Sequence, residues 1–348
     1  MKKVTVLIVD DSPTMRSVIK RALRRDADIE VVGEAKDPYD AREKIKALNP
    51  DVLTLDIEMP RMSGLQFLKK IMELRPMPVI MLSSLTQSGA NDTLEALSIG
   101  AFDCVAKPTS GDYIEALGHL PKLIKAASKY KPAGAMNKLP VKTVPTKSFY
   151  PGDKVIAIGS STGGVEALQA ILANFPANCP PTIITQHMPP SFLGTFATRL
   201  NKLVEPEVSL ASQGAVLSPG KVYLAPGGDH HLEIKGHHKI NCHLLSGGRV
   251  SGHIPSVDVM FNSVASTLGE RAIGVILTGM GRDGAKGLLE IRRAGGRTLG
   301  QDERSCVVYG MPRAAYEIGA VERQVSLKAI GAGILALASE ASKARKTA

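Results

Sequence analysis

Residues 155–174 read VIAIGSSTGGVEALQAILAN, which joins an apolar run to a glycine-rich turn and then to a stretch with helical periodicity. The run Val155–Ile158 predicts a buried strand, and Val165–Asn174 predicts the helix that follows it. A strand that leads through a tight turn into a helix is the repeating unit of a parallel sheet with helices on both faces. Chemistry in such sheets lies at the carboxyl ends of the strands, which directs attention to the turn at residues 159–164.

The same unit recurs on the carboxyl side of this stretch. Thr182–Gln186 predicts a strand that ends at His187, and Ala272–Leu277 predicts a strand that ends in the glycine-rich loop 278–284. Other predicted elements between and after them are strands at Lys221–Ala225, Leu232–Lys235 and Lys239–Leu244 and helices at Val259–Leu268 and Ala285–Ala294. Residues 153–348 are therefore predicted to form a second, Rossmann-like doubly wound α/β domain.

The amino-terminal part of the chain has its own alternation of apolar runs and helical stretches. Its predicted strands are Val4–Val9, Ile29–Glu34, Val52–Leu55, Val79–Leu82 and Cys104–Ala106. Its predicted helices are Thr14–Arg24, Tyr39–Leu48, Gly64–Leu74 and Asn91–Ile99. This order predicts a flavodoxin-like, doubly wound parallel sheet over residues 1–128. Residues 129–152 are rich in lysine and proline and lack apolar periodicity, which predicts a flexible linker.

Length and charge narrow the class of protein. The chain has 348 residues, which is long for a single core, and its formal net charge is +10. Residues 1–128 are balanced, with 18 basic and 18 acidic residues, whereas residues 129–152 hold five lysines and no acidic residue. Because tryptophan is absent and aromatic residues are not interleaved with basic ones, the charge favours an acidic protein partner over nucleic acid.

The sequence predicts a cytoplasmic protein without membrane insertion. The apolar run Val4–Val9 is too short for the core of a signal peptide, and no apolar run approaches the roughly 20 residues that span a bilayer. The cysteines show no C-x-x-C spacing, which predicts reduced thiols rather than a disulfide or a zinc site. They are Cys104, Cys179, Cys242 and Cys306.

Charged and hydroxyl side chains follow successive predicted strands of the first domain. Asp10 and Asp11 follow the first strand, Asp56 follows the third, Ser83 ends the fourth, and Lys107 ends the fifth. Carboxylates that converge at one edge of a sheet repel one another unless a hard cation such as Mg²⁺ neutralises them. A carboxylate in that position can accept a phosphoryl group whose charge the metal and a lysine offset. Any one acid could be a solvated loop residue, but the set predicts phosphoryl chemistry.

The second domain offers a nucleophile, a base and a carboxylate at strand ends. Residues 159–163 fit G-x-S-x-G with Ser161 at the centre, His187 ends the next strand, and Asp283 lies in the later glycine-rich loop. Taken singly, the turn could bind a nucleotide, the histidine could be structural, and the aspartate could cap a helix. Ser161 stands where a dinucleotide-binding turn has its second glycine, and the lysine of a P-loop is absent. Together, the three predict a serine hydrolase in which imidazole takes the hydroxyl proton and the carboxylate orients the imidazole.

Other polar pairs allow weaker interpretations. His230-His231 and His237-His238 flank a turn and are expected to be solvated rather than to hold a metal. Ser256 and Asp258 follow Pro255 and are expected to cap a helix. Arg249 and Arg313 could contact an acidic substrate helix, and surface solubility explains them as well.

Residues 1–125 resemble a response-regulator receiver domain. The motifs that carry the resemblance are Val9-Asp10-Asp11-Ser12, Asp56-Ile57-Glu58-Met59-Pro60 with Gly64, Ser83-Ser84 and Lys107-Pro108. The resemblance implies that a chemotaxis histidine kinase phosphorylates Asp56 and that Ser83 and Lys107 contact the phosphoryl group. It implies that Mg²⁺ is held by Asp10, Asp11, Asp56 and the backbone carbonyl of Glu58. Receivers often carry an aromatic residue three positions before the lysine, where this chain has Cys104.

Residues 153–340 resemble the catalytic domain of the chemotaxis protein-glutamate methylesterases. The motifs are 158–164 IGSSTGG, 184–190 ITQHMPP, 255–258 PSVD, 277–284 LTGMGRDG and 306–312 CVVYGMP. The resemblance implies hydrolysis of glutamate γ-methyl esters on the cytoplasmic helices of chemoreceptors, with release of methanol, and deamidation of certain receptor glutamines. It implies Ser161 as nucleophile, His187 as general base and then acid, and Asp283 as orienting carboxylate, without a cofactor. The main chain near Thr162 and Met280 is the predicted oxyanion and loop support.

Three alternatives remain open on the sequence. A docking protein that has lost catalysis would not need the intact set of Ser161, His187 and Asp283. A DNA-binding regulator is a common partner of receivers, but no recognition helix is visible. The same two-domain enzyme could also serve a chemosensory array unrelated to motility.

Overall fold

The computed structural model describes residues 2–84, 86–108, 113–132, 149 and 152–339. The chain divides into two compact units, Met1–Lys138 and Leu139–Ala348. Most of the predicted linker lies outside the described residues, and the boundaries predicted for the two domains and the linker stay predictions. Among the described residues, no helix combines the length and the apolarity needed to cross a bilayer.

The first unit is a five-stranded parallel sheet with strand order β2-β1-β3-β4-β5. Its strands are β1 Val4–Val9, β2 Ile29–Ala35, β3 Val52–Asp56, β4 Val79–Ser83 and β5 Asp103–Ala106. Its helices are α1 Pro13–Leu23, α2 Pro38–Leu48, α3 Gly64–Leu74, α4 Gln87–Ile99, α5 Tyr113–Ala116 and α6 Leu120–Ala127. Every residue of β3 and β4 is buried, as expected for inner strands covered on both faces.

Side-chain caps fix where the helices of the first unit begin. Ser12, Asp37, Ser63 and Thr86 each accept a hydrogen bond from a main-chain N–H in the first turn of the helix that follows. At Ser63 the cap is reciprocal, since the side chain of Gln66 accepts from the N–H of Ser63. These caps start each helix directly after a strand-end loop, so the loops that carry Asp10 and Asp56 are short and well defined.

The second unit is built on a seven-stranded parallel sheet with strand order β14-β13-β12-β6-β7-β9-β8. Its strands are β6 Val155–Ser160, β7 Thr182–Gln186, β8 Glu207–Leu210, β9 Lys221–Leu224, β12 Ala272–Ile276, β13 Arg297–Gln301 and β14 Arg323–Val325. Two further strands, β10 His230–Lys235 and β11 Asn241–Ser246, pair as an antiparallel hairpin. The helices are α7 Gly164–Leu172, α8 Pro190–Leu203, α9 Val257–Leu268, α10 Ala285–Arg293, α11 Met311–Glu317 and α12 Leu327–Ala338.

The strand order explains why distant residues meet. Strand β6 is central and pairs in parallel with β12 on one side and β7 on the other, with Ile276 opposite Gly159 and Ser160 opposite Gln186. The loops that follow these three strands therefore leave the same edge of the sheet side by side. They carry Ser161, His187 and Asp283. The first and last of these residues are more than 120 positions apart in the sequence.

The two doubly wound α/β domains predicted from the sequence are confirmed, with differences at the sheet edges. Strands β8, β13 and β14 were not predicted from the sequence; of these, β8 and β14 are edge strands of four and three residues with exposed positions. Such strands lack the continuous apolar run that identifies an inner strand. The predicted strand at Lys239–Leu244 begins instead at Asn241, because residues before it form the hairpin turn.

Candidate active site and phosphoacceptor pocket

Ser161 lies on a sharp turn between β6 and α7. Its N–H donates to the carbonyl of Thr278 at 3.0 Å, and its own carbonyl accepts from the N–H of Gly164 at 2.7 Å. The turn needs glycine at 163, where φ is +77° and a Cβ atom would come within 2.5 Å of the side chain of Val307. Ser161 is half-buried and lies just before the amino terminus of α7. A nucleophilic serine that a substrate can reach is expected on such a strand-to-helix turn.

A buried amide joins the serine turn to the histidine turn. The hydroxyl of Ser160 donates to Oε1 of Gln186 at 2.6 Å, which fixes the orientation of the amide. The Nε2 group of Gln186 then donates to the carbonyls of both Ser161 and His187 at 3.0 Å. Ser160 is fully buried and occupied by this bond, so of the two adjacent serines only Ser161 is placed to meet a substrate.

His187 and Asp283 form a buried hydrogen-bonded pair beside the serine turn. Nε2 of His187 lies 2.8 Å from Oδ2 of Asp283, and the two side chains are 7% and 1% exposed. A neutral imidazole that donates its Nε2–H to the carboxylate keeps a lone pair on Nδ1. Nδ1 of His187 is buried and has no hydrogen-bond partner among the described residues. It is therefore the nitrogen available to accept a proton.

The amino terminus of α9 holds the Asp283 carboxylate. The carboxylate accepts from the Val257 N–H at 2.7 Å, the Ser256 hydroxyl at 2.8 Å and the Asp258 N–H at 3.1 Å. Burial acts to raise the pKa of Asp283, but the hydrogen bonds from His187 and from the helix N–H groups outweigh it and lower the pKa. Asp283 is thus held as an anion that can stabilise a protonated His187.

Asp258 is a second buried carboxyl beside this pair. Its Oδ1 accepts from the Gly287 N–H at 2.8 Å, and burial together with the neighbouring Asp283 raises its pKa. Ser256 caps α9 by accepting from the N–H of Val259, as predicted, and in addition contacts Asp283. This second contact of Ser256 was not predicted from the sequence, because a Ser-Val-Asp run after proline has the same pattern as a helix cap.

The expectation that all four paired histidines are solvated is wrong for His231. Its ring is 1% exposed, its Nδ1 accepts from the N–H of Ser256 at 3.0 Å, and its Nε2 donates to the carbonyl of Gly248 at 3.0 Å. His231 is the second residue of β10, where the hairpin packs against α9, and a buried imidazole needs both bonds. His237 and His238 are exposed in the hairpin turn, as expected.

The predicted oxyanion support lies beside Ser161. The Thr278 hydroxyl donates to the Thr162 carbonyl and accepts from the Val308 N–H, both at 2.9 Å, which ties the serine turn to the loop before α11. Met280 follows Gly279 in the loop that borders Ser161, and no hydrogen bond among the described residues uses its N–H. The Met280 N–H is therefore available to a substrate oxygen, and its role and that of Thr162 remain predictions.

Gly279 sets the distance between this loop and Ser161. A Cβ atom at 279 would lie 2.7 Å from Cβ of Ser161 and 2.4 Å from Sδ of Met311. Gly279→Ala is expected to displace Ser161 and lower kcat by about 10- to 100-fold, because small errors in reacting geometry are costly. Ester hydrolysis by the purified variant measures the effect. Gly194→Ala is the matched control, since the nearest atom to its Cβ would be Cδ1 of Leu210 at an ordinary contact distance of 3.8 Å; equal rates in both variants would contradict the placement.

The first unit brings its predicted acidic residues together. Carboxylate oxygens of Asp10, Asp11 and Asp56 lie within 4.8 Å of one another. Nζ of Lys107 lies 2.7 Å from Asp56 Oδ2 and 3.0 Å from Asp10 Oδ2. Burial raises the pKa of Asp56 to about 6, with the nearby Asp10 charge adding to the rise and Lys107 opposing it. Three converging carboxylates offer only oxygen donors, which fits Mg²⁺.

The predicted phosphoryl contacts are placed unequally around Asp56. Lys107 already reaches the carboxylate, and the Glu58 N–H donates to Asp56 Oδ1 at 3.2 Å. The Ser83 hydroxyl instead donates to the carbonyl of Gly89 at 3.0 Å, so it would have to turn away from α4 to contact a phosphoryl oxygen. Cys104 donates weakly to the carbonyl of Thr93 at 3.7 Å and occupies the position where many receivers carry an aromatic ring.

The two sites have the residues expected of a hydrolase joined to a receiver domain. Residues 156–334 match the family model described as CheB methylesterase, and residues 6–117 match the response regulator receiver domain. The chain is 60% identical to the "Protein-glutamate methylesterase/protein-glutamine glutaminase 1" of Caulobacter vibrioides over 97% of this chain and 99% of that protein. It is 58% identical to the corresponding protein of Agrobacterium fabrum over 95% of this chain and 96% of that protein.

A solved structure agrees with the second unit. The match to the crystal structure of the Thermotoga maritima CheB methylesterase catalytic domain has a TM-score of 0.51 and 37% sequence identity. The matched region covers 53% of this chain and 98% of the Thermotoga maritima chain. The chain belongs to the CheB methylesterase family. The family, the enzyme class and the fold predicted from the sequence are thereby confirmed, whereas the roles given to single residues stay predictions.

Proposed function

We propose that the chain hydrolyses γ-methyl esters of glutamate side chains on chemoreceptor helices and deamidates specific receptor glutamines. The observation that carries the proposal is the buried pair of His187 and Asp283 beside Ser161, at the carboxyl ends of β6, β7 and the strand before Asp283. A deep apolar substrate pocket is not needed for such a reaction, because a glutamate ester projects from the surface of a helix.

The proposed reaction passes through an acyl-enzyme. The Ser161 hydroxyl attacks the ester carbonyl while Nδ1 of His187 takes its proton, and Asp283 remains ionised and stabilises the imidazolium. The Met280 N–H is placed to donate to the oxyanion. Collapse of the tetrahedral intermediate breaks the bond to the methoxy group, which leaves as methanol with the proton from His187. Water then attacks the acyl-enzyme by the same proton transfers and releases the glutamate carboxylate.

Deamidation follows the same steps with a different leaving group. A glutamine amide has the same shape as the methyl ester around its carbonyl, and its nitrogen leaves as ammonia after protonation by His187. Both substrates give the same acyl-enzyme and the same product, a glutamate carboxylate. One site therefore accounts for both activities named in the relatives.

We propose that Asp56 is the phosphoacceptor of the receiver. Its carboxylate attacks the phosphorus of the phosphodonor, the bond to the leaving group breaks, and Lys107 offsets charge on the phosphoryl oxygens. Asp10, Asp11, Asp56 and the Glu58 carbonyl would hold Mg²⁺, which when bound neutralises part of the phosphoryl charge. The donor is proposed to be a chemotaxis histidine kinase, and the protein is proposed to act in the cytoplasm, where receptor helices and kinase meet.

We propose that phosphorylation activates the esterase by relieving inhibition by the receiver. The predicted linker keeps the two domains at high effective concentration, so weak cover of the Ser161 turn is enough to exclude a bulky helical substrate. A change of about 1.4 kcal/mol in such an equilibrium alters the open fraction roughly tenfold while open forms are rare.

Removal of the receiver tests this regulation. A fragment of residues 148–348 is expected to release methanol from methylated receptor about tenfold faster than the unphosphorylated full chain. The Thermotoga maritima catalytic domain was crystallised without its receiver, which supports the use of such a fragment. A fragment no faster than the full chain would contradict inhibition and indicate that the receiver recruits substrate or activates the site directly. Absence of methanol release from every form would contradict the esterase function itself.

The same two-domain enzyme could serve a chemosensory array unrelated to motility. No observation in the structure favours that alternative, because it would use the same Ser161 and Asp56 sites. Deletion of the gene with measurement of swimming behaviour distinguishes the two settings.

A further inference from the structure

A second histidine covers the face of the His187 ring. The rings of His187 and His253 are stacked with their centroids 3.7 Å apart and their planes within 5° of parallel. The distance is that of van der Waals contact between two flat rings. His253 lies in the segment between the β10–β11 hairpin and α9, and no motif in the sequence pointed to it.

Stacking on His253 restricts the tilt of the His187 ring, which the hydrogen bonds of His187 leave free. Its main chain is fixed, because the N–H donates to the Ser160 carbonyl at 3.0 Å and the carbonyl accepts from Gln186. The far edge of the ring is fixed by the bond from Nε2 to Asp283. These contacts fix two points along the side chain, but the ring can still tilt about the line between them. A flat group against its face opposes that tilt.

His253 is itself held by a tight turn. Its N–H and carbonyl exchange hydrogen bonds with those of Val250 at 3.0 and 3.1 Å, and Gly252 takes a φ of +87° at the tip. The hydroxyl of Ser251 contacts Oδ2 of Asp258 at 3.3 Å, which ties the turn to the start of α9.

Buried His231 anchors both ends of this segment. Its Nε2 donates to the carbonyl of Gly248 before the turn, and its Nδ1 accepts from the N–H of Ser256 after it. Ser256 in turn donates to Asp283. The imidazole of His253 and the carboxylate that orients His187 are therefore positioned by one hydrogen-bonded assembly.

We propose that His253 is a positioning residue for the hydrolysis, and that its ring holds the plane of His187 so that Nδ1 points to Ser161 while Nε2 stays on Asp283. The inference rests on the proposed role of His187 as general base. It does not give His253 a proton-transfer step, because its contact with His187 is through the ring face and not through a nitrogen edge.

Two substitutions at position 253 distinguish the effect of the stacked ring from other effects of the histidine side chain. His253→Ala removes the stacked surface and is expected to lower kcat by about tenfold or more, since the misplaced base costs reactive geometry. KM is expected to stay within about twofold, because the proposed role of the ring is to position His187 and not to bind the substrate. His253→Phe keeps a flat ring of similar size and is expected to restore kcat to within about threefold of the wild type.

The assay is methanol release by the full chain, with thermal unfolding followed by circular dichroism for each variant. His253→Asn, which lacks the ring but retains a planar polar group, serves the same purpose as the alanine variant should the latter not fold. His237→Ala is the matched control, since His237 is exposed in the hairpin turn. Wild-type kcat in His253→Ala and His253→Asn would overturn the inference, and so would a phenylalanine variant that is folded but as slow as the alanine variant. A rise in KM at unchanged kcat would also overturn it, because it would indicate contact with the substrate.

His187→Gln distinguishes failure of this inference from failure of the proposed site. If His187→Gln is inactive and the His253 variants behave as the wild type, only the positioning role is wrong. If His187→Gln remains fully active, the proposed base is wrong and the inference falls with it.

Discussion

Ser161→Ala is expected to lower the rate of ester hydrolysis by roughly a millionfold, as removal of the nucleophile does in serine proteases. The reason is the placement of Ser161, which is half-buried on the turn next to His187, whereas the neighbouring Ser160 is buried and donates to Gln186. The measurement is methanol release from methylated receptor at enzyme concentrations high enough to detect the residual rate.

Ser160→Ala is the matched control for the nucleophile. Ser160 is buried and donates to Gln186, so its loss is expected to cost at most about tenfold, through weaker support of the turn. Full activity of Ser161→Ala together with loss of activity in Ser160→Ala would reverse the assignment. A fluorophosphonate that labels the peptide containing residues 155–174 in the wild type but not in Ser161→Ala would identify the residue chemically.

Asp56→Asn is expected to abolish incorporation of phosphate from a small phosphodonor in the presence of Mg²⁺. The amide has nearly the same shape as the carboxylate but is not a nucleophile toward phosphorus. It also removes one charge from the pair with Lys107, whose Nζ lies 2.7 Å from Asp56 Oδ2. Intact-protein mass spectrometry measures the added phosphoryl group directly.

The control for this substitution is Asp28→Asn, at an aspartate whose side chain is 70% exposed. It is expected to be phosphorylated like the wild type. Acid-labile and base-labile phosphate that persists at the wild-type level in Asp56→Asn would show that another carboxylate accepts the group, and Asp56 would lose its proposed role.

The strand-end residues could be predicted from the sequence because parallel sheets place them at one edge. Ser161, His187 and Asp283 each follow an apolar run, and the pairing of β6 with β7 and β12 brings their turns together. The same reasoning located the carboxylates and Lys107 of the receiver. In each case one local signal is enough to predict that a residue lies at the edge of the sheet: an apolar strand followed by a polar side chain.

The surroundings of these residues could not be predicted in the same way. Ser256 and His231 are positioned by the packing of the β10–β11 hairpin on α9, which depends on contacts between segments that are not neighbouring strands. The stacking of His253 on His187 likewise depends on the path of an irregular turn. A histidine or serine in such a segment looks the same in sequence whether it is solvated or buried in a network.

Coupling between Asp56 phosphorylation and ester hydrolysis is tested by the initial rate of methanol release from methylated receptor, measured with and without a phosphodonor and Mg²⁺ for the wild type and Asp56→Asn. The phosphodonor is expected to raise the wild-type rate about tenfold or more and to leave the rate of Asp56→Asn unchanged. Equal stimulation of both proteins, or no stimulation of a wild-type chain that is fully phosphorylated, would contradict it.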